Sequence, residues 1–111
     1  MTTTGTQLFE MICKQDAIRI EEKEYRFAPP RMWRFDYVIS KDKKIAVEVE
    51  GAVWKGKKGG HTSGKGYIAN CEKYNYAEIL GWCVIRLTTE MLLDNTGINQ
   101  LKEALLIRPR Q

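Results

Sequence analysis

Residues 33–39 read Trp33-Arg34-Phe35-Asp36-Tyr37-Val38-Ile39, and residues 44–51 read Lys44-Ile45-Ala46-Val47-Glu48-Val49-Glu50-Gly51. Between them lies the polar stretch Ser40-Lys41-Asp42-Lys43. Both runs are rich in β-branched and aromatic residues and the gap suits a turn, so the pair predicts two strands of a hairpin. Side chains alternate along a strand, which puts Ala46, Glu48 and Glu50 on one face and Ile45, Val47 and Val49 on the other. Asp36 sits mid-strand among Phe35, Tyr37 and Val38, where aspartate is disfavoured. Antiparallel pairing would bring Asp36 beside Glu48 and Glu50. Three carboxylates so placed repel one another unless a cation lies between them. Oxygen-only ligands suit a hard ion such as Mg²⁺. The competing reading is plainer: the two glutamates form the wet face of an edge strand and Asp36 belongs to a turn.

The chain has 111 residues, enough for one domain over residues 1–111 with a modest core. Hydrophobic residues make up 43% and charged residues 29%, the balance of a globular protein. No apolar run approaches the length of a membrane span, and Met1-Thr2-Thr3-Thr4-Gly5-Thr6 lacks the features of a signal peptide. The expected location is the cytoplasm of a bacterial or phage-infected cell. The small size and lone-domain build suit a phage or mobile-element protein. Cys13, Cys71 and Cys83 are odd in number and lie in apolar segments, so reduced, buried thiols are expected. One histidine and no close cysteine pair argue against a zinc finger and exclude a centre built on several histidines.

The net charge is +4, and Lys55, Lys57, Lys58 and Lys65 are the only full charges between Gly51 and Gly66. The rest of the chain is therefore balanced. A basic surface of this kind attracts polyanions such as nucleic acid, although charge runs are commonly just solvated loops. Six of the sixteen residues from Gly51 to Gly66 are glycine, too many for a helix or strand, and a mobile loop is expected. The loop does not match the phosphate-cradling pattern of nucleotide-binding proteins, and no organic cofactor is expected.

In chain order, Thr6 is placed to cap a helix over about residues 7–15, and residues 18–27 predict a ragged strand. Pro29-Pro30 then stops regular structure before the hairpin. A helix is predicted over 66–80, with Tyr67, Cys71 and Tyr74 on one face, Ile68 and Ile79 extending it, and Gly81 as the stop. Tyr67, Tyr74 and Trp82 are assigned to the core. Trp82-Cys83-Val84-Ile85-Arg86-Leu87 predicts a buried strand, completing the helix–glycine–strand order of an α/β crossover. Thr88 or Thr89 suits the cap of a short helix through Leu93, and Asn95 or Thr96 the cap of the last helix. The order α, β, β, β, α, β, α, α describes an α/β (α+β) fold with a central mixed four-stranded sheet flanked by helices.

That order, with those acids, resembles the PD-(D/E)XK nuclease superfamily and its restriction-endonuclease-like fold. It looks closest to the small domains related to the very short patch repair endonuclease. The matching residues are Arg34-Phe35-Asp36, Glu48-Val49-Glu50-Gly51, His61, and Gly81-Trp82-Cys83-Val84-Ile85-Arg86, spread over about residues 25–92. Two positions depart from the family pattern. Phe35 stands where a proline is usual, and Glu50 stands where a lysine is usual. Some active restriction enzymes of the superfamily carry glutamate at the latter place.

The resemblance implies that Asp36 and Glu48 bind Mg²⁺ (or Mn²⁺), with the Val49 carbonyl as a further ligand. Glu50 would be the base for the attacking water or a ligand of a second ion. His61 would assist on water or phosphate, against the plainer reading of a bystander. Lys73 is a candidate to replace the missing strand lysine, against the plainer reading of a surface lysine. Glu10 would complete the metal site from the first helix, or simply face solvent. Lys55, Lys57, Lys58 and Lys65, with Arg31 and Arg34, would contact phosphates without sequence preference. Trp54 is read as packing under the loop or stacking on a base, and Arg86 as holding the metal carboxylates, a phosphate or a structural acid.

The implied activity is Mg²⁺-dependent endonucleolytic hydrolysis of DNA. Little chain is left over for a separate sequence-reading domain. That favours a substrate known by its structure, such as a nick, mismatch or branched Holliday-type junction, or recruitment by a partner, or a homodimer acting on two strands. The rival expectations are a catalytically decayed DNA-binding module on the same fold and a protein-interaction domain.

Overall fold

The computed structural model describes residues 4–51 and 64–111. The elements are α1 (Gly5–Gln15), β1 (Glu22–Arg26), β2 (Arg34–Ser40), β3 (Ile45–Val49), α2 (Gly64–Ile79), β4 (Cys83–Leu87), α3 (Thr89–Leu93) and α4 (Thr96–Ile107). The expected order is the observed one. The strands form one four-stranded sheet in the order β1-β2-β3-β4. The first three pair antiparallel, and β3 pairs parallel with β4, so the sheet is mixed. Parallel neighbours need a crossover connection, and α2 supplies it.

Alternation along β3 divides the core in two. Ile45 and Val47 face a cluster with Phe9 and Cys13 of α1, Tyr37, Ile39, Leu87, Leu92 of α3, and Ile98 and Leu101 of α4. Ala46, on the other face, belongs to a second cluster with Phe27, Phe35, Val38, Trp82 and Ala77 of α2. Its centre is a set of stacked aromatic rings, with Phe27 and Phe35 4.0 Å apart and parallel and Trp82 meeting Phe35 edge-on at 5.1 Å. Three helices thus cover one face of the sheet and α2 covers the other.

Local chemistry moves some boundaries. α1 begins before residue 7 because Thr4, not Thr6, is its cap. Thr4 Oγ1 accepts from the Gln7 N–H at 3.1 Å, and Gln7 Oε1 accepts from the Thr4 N–H at 2.9 Å. This reciprocal box needs a glutamine or glutamate three residues on, and Phe9 after Thr6 cannot provide one. Thr88 caps α3 as expected, accepting from the Met91 N–H. Asn95 occupies the cap position of α4 at φ +68° with no side-chain cap bond. Asp94 does the capping instead, its Oδ1 accepting from both the N–H and the hydroxyl of Thr96.

The expected buried face of α2 is corrected. Tyr67, Ile68 and Ile79 are 66%, 61% and 73% exposed, and Cys71 is exposed as well. Ala77 is the buried residue of this helix. Cys13 is buried, and burial, with the charges of Asp16 and Glu10, pushes its thiol up to about 12. Among the described residues, no helix is long and apolar enough to cross a membrane.

Candidate active site

The sheet face under α2 carries the acids. Register between β2 and β3 runs Val38↔Ala46 and Tyr37↔Val47, and the paired ladder ends there. One step further, side chains take over the bonding. The Asp36 N–H donates to Glu48 Oε2 at 2.7 Å, and the Val49 N–H donates to Asp36 Oδ2 at 2.8 Å. Asp36 and Glu48 are thus locked together across two strands. Asp36 Oδ1 has no hydrogen-bond partner among the described residues.

Glu48 is the buried charged residue of the core, at 7% exposure. A buried carboxylate must be paired, and α2 supplies the partners. Lys73 Nζ and Tyr74 Oη each donate to Glu48 Oε1 at 2.7 Å. Lys73 and Tyr74 share the inward side of α2 with Ala77, four and three residues on, and the small alanine lets that side lie close to the sheet. Lys73, whose side chain is 15% exposed, is therefore no surface lysine.

The carboxyl of Asp36 is held above the ordinary aspartate range. Burial is the main cause, and the charges of Glu48 and Glu24 add to it, while the Val49 N–H and Lys73 oppose it. Glu24 was not legible as a neighbour of this site. It lies mid-strand in β1 at φ +53°, between the pairs Lys23↔Tyr37 and Tyr25↔Phe35 and so opposite Asp36. Burial and the bond to Glu48 push the Tyr74 hydroxyl up, keeping it a donor.

Glu50 does not join the other two acids. Its Oε2 accepts from Arg86 Nε at 2.9 Å. Arg86 is the parallel partner of Glu48 on β4, and its guanidinium carbon lies 4.4 Å from the Tyr74 ring centroid. The described residues hold no cluster of three acidic, cysteine or histidine side chains able to grasp a metal ion. Glu10 is engaged elsewhere: Tyr37 Oη donates to its Oε2 at 2.6 Å and Lys23 pairs with its Oε1 at 3.0 Å. Arg31 lies over the Trp33 and Tyr76 rings, at 4.5 and 5.4 Å, while Arg34 and Lys65 are exposed. Lys55, Lys57, Lys58, His61 and Trp54 lie outside the described residues.

Tyr74 is the site residue that sequence reasoning assigned to the core. Its position beside Lys73 on the side of the helix marked by Ala77 is the signal that could have found it.

A divalent ion of the Mg²⁺ type would find one carboxylate oxygen here that no described residue occupies, on Asp36, and would share the Glu48 oxygens with their protein donors. Asp36 offers an unspent oxygen, and a cation would relieve the unfavourable burial of its charge. Mg²⁺ commonly takes one or two carboxylates and fills its remaining positions with water and substrate phosphate.

No protein-family model matches the sequence, and no curated protein matches it either. Among solved structures, the chain is similar to the catalytic domain of the homing endonuclease I-Bth0305I. The TM-score is 0.69 at 18% identity, over 95% of this chain and 96% of that one. The chain therefore has the fold of a nuclease catalytic domain, a mixed sheet with flanking helices.

Proposed function

We propose that this chain is a metal-dependent endonuclease that hydrolyses phosphodiester bonds in DNA. The observation that carries the reading is the interlocked pair Asp36 and Glu48, backed by Lys73, on the sheet face of a nuclease-type fold. The motif order relates it to the very short patch repair branch of the PD-(D/E)XK superfamily.

In this reading Asp36 and Glu48, with the Val49 carbonyl, would hold Mg²⁺ or Mn²⁺, which when bound would polarise the scissile phosphate and lower the pKa of a coordinated water. Lys73 and Tyr74 orient Glu48 by their two bonds to one oxygen, leaving its second oxygen on the Asp36 N–H. Lys73 also brings a positive charge next to the acids, the service that a strand lysine gives in the superfamily pattern. His61, from the glycine-rich segment, completes the set of candidate catalytic side chains, while the Glu50 carboxylate is bonded to Arg86. Glu10 would have to exchange Tyr37 and Lys23 to act as a ligand. Lys55, Lys57, Lys58, Lys65, Arg31 and Arg34 provide non-specific phosphate contacts. The substrate is a nick, mismatch or branched junction, cut by one chain or by a homodimer.

A second reading, a DNA-binding module that has lost catalysis, is favoured by one observation. Both Glu48 oxygens are already satisfied by protein donors. Incubating linear, nicked, mismatched and four-way-junction DNA with Mg²⁺, Mn²⁺ or EDTA separates the two. The endonuclease reading expects metal-dependent products, and their persistence in an Asp36→Ala/Glu48→Ala double variant would sink it. Binding without products under any metal is the outcome for the decayed module.

A further inference from the structure

Among the described residues, Arg86 is a cation of the site whose donors are largely unspent. Its Nε is bonded to Glu50, but neither terminal nitrogen has a hydrogen-bond partner among the described residues. Lys73, the other cation, sits 15% exposed against Glu48, whereas the Arg86 side chain is 52% exposed. Resting on the nuclease reading, we infer that Arg86 is the group that grips a backbone phosphate of the nucleic acid at this site, and that Glu50 and Tyr74 are positioning residues for it.

Three features carry the assignment. The first is place: Asp36, Glu48 and Arg86 belong to three successive strands, with Glu48 and Arg86 in register. A phosphate lying over the acids therefore meets Arg86 on the next strand. The second is orientation. The guanidinium rests on the Tyr74 ring at 4.4 Å while Glu50 holds Nε at 2.9 Å, so its plane and one edge are fixed before any ligand arrives. A planar fork held in advance loses little freedom on binding an oxyanion. The third is charge. Glu24, Asp36, Glu48 and Glu50 present four carboxylates against Lys73 and Arg86 among the described residues, which repels a phosphodiester. A cation with free donors at the rim offsets that repulsion where the ligand enters.

A purely structural role accounts for less. A half-exposed pair made through a single Nε–H contributes about 0–1 kcal/mol. Such a pair gives no reason for the ring stacked beneath the guanidinium or for the unspent N–H groups.

The same geometry gives Glu50 a task other than that of base or second metal ligand. Its oxygen is on Arg86, and its removal is felt through Arg86.

The test is fluorescence anisotropy of a labelled DNA duplex in EDTA over a range of salt, for the wild type, Arg86→Ala, Arg86→Lys and Glu50→Gln, with thermal melts confirming that each variant folds. Arg86→Ala is expected to weaken binding about tenfold and to lower the slope of log affinity against log salt by about one phosphate contact. Arg86→Lys is expected to restore the slope but not the full affinity, because an ammonium lacks the fork. With Mg²⁺, Glu50→Gln is expected to raise KM while kcat is largely kept, and to add nothing in an Arg86→Ala background. Wild-type binding with an unchanged slope in Arg86→Ala overturns this assignment alone. So does a collapse of kcat at constant KM in Glu50→Gln, which would return Glu50 to the attacking water or the metal. No DNA binding by the wild type overturns the nuclease reading and this assignment with it.

Discussion

The backbone N–H of Asp36 donates to the carboxylate of Glu48 at 2.7 Å. This is a ladder bond made by a side chain. The paired register of β2 and β3 stops at Tyr37↔Val47, and the acids then occupy the places that carbonyl groups would hold. Asp36 reciprocates by accepting from the Val49 N–H, the amide next to Glu48. The acids are fixed by the sheet itself, so their positions do not depend on long, freely rotating side chains.

The half-buried charge of Asp36 has a cost that a pH series reveals. Its carboxyl is raised in the fold, chiefly by burial. The folded state therefore holds that proton more tightly than the unfolded chain. Stability from this group is fully present below about pH 4, the ordinary aspartate value, and declines as pH rises through the folded pKa. Asp36→Asn keeps an oxygen for the Val49 N–H and removes the charge. Its melting temperature without metal is expected to exceed that of the wild type at neutral pH, with the gap closing at pH 3. A wild type that melts as high as the variant at neutral pH would contradict the burial argument.

Lys73 is predicted to be structural as well as functional. Lys73→Met leaves Glu48 nearly buried with Tyr74 and the Asp36 N–H as its remaining donors. Removing one partner of a buried pair is costly, and a loss of about 3 kcal/mol, the low end because two donors remain, is expected in urea denaturation. Glu48→Gln combined with Lys73→Met is expected to recover most of that loss. Additive losses in the double variant would mean that the two side chains are not coupled.

Gly97 is predicted to reject even a methyl group. A Cβ there would lie 2.7 Å from Leu87 Cδ2 and 3.2 Å from the Met91 carbonyl oxygen. Leu87 is fully buried beneath the start of α4 and has little room to yield. Gly97→Ala is expected to cost about 1–3 kcal/mol, although alanine is the better helix former by about 1 kcal/mol. A rise in melting temperature would show that Leu87 repacks freely.

Much of the architecture was legible because the period of two is written plainly in residues 33–51. β2 and β3 carry aromatic and β-branched residues in alternation, and the Glu48–Glu50 spacing fixes which face is polar. The helix–glycine–strand run ending at Leu87 gave the crossover. What failed was the inward side of α2. Its apolar residues, Tyr67, Ile68, Cys71 and Ile79, follow helical spacing but face outward. The helix instead turns Lys73, Tyr74 and Ala77 to the sheet, because the buried Glu48 needs donors more than the core needs another isoleucine. Glu50 misled for a related reason. Alternation puts it on the face of Glu48, but its partner Arg86 sits on β4, a neighbour brought alongside only by the parallel crossover. The caps were half legible: Thr88 was found, whereas Thr4 depends on Gln7 and Asp94 displaces Asn95.

The central claim, that Asp36 and Glu48 form a metal-dependent cutting centre, is tested most directly by single-turnover cleavage of a preferred DNA substrate against Mg²⁺ concentration, for the wild type and Glu48→Gln. The account predicts that the wild-type rate saturates with Mg²⁺ and vanishes in EDTA. It also predicts that Glu48→Gln, which keeps a side-chain acceptor for Lys73 and Tyr74, loses at least about a thousandfold in rate while still binding the DNA. Cleavage by Glu48→Gln at the wild-type rate, with the same Mg²⁺ dependence, would contradict it.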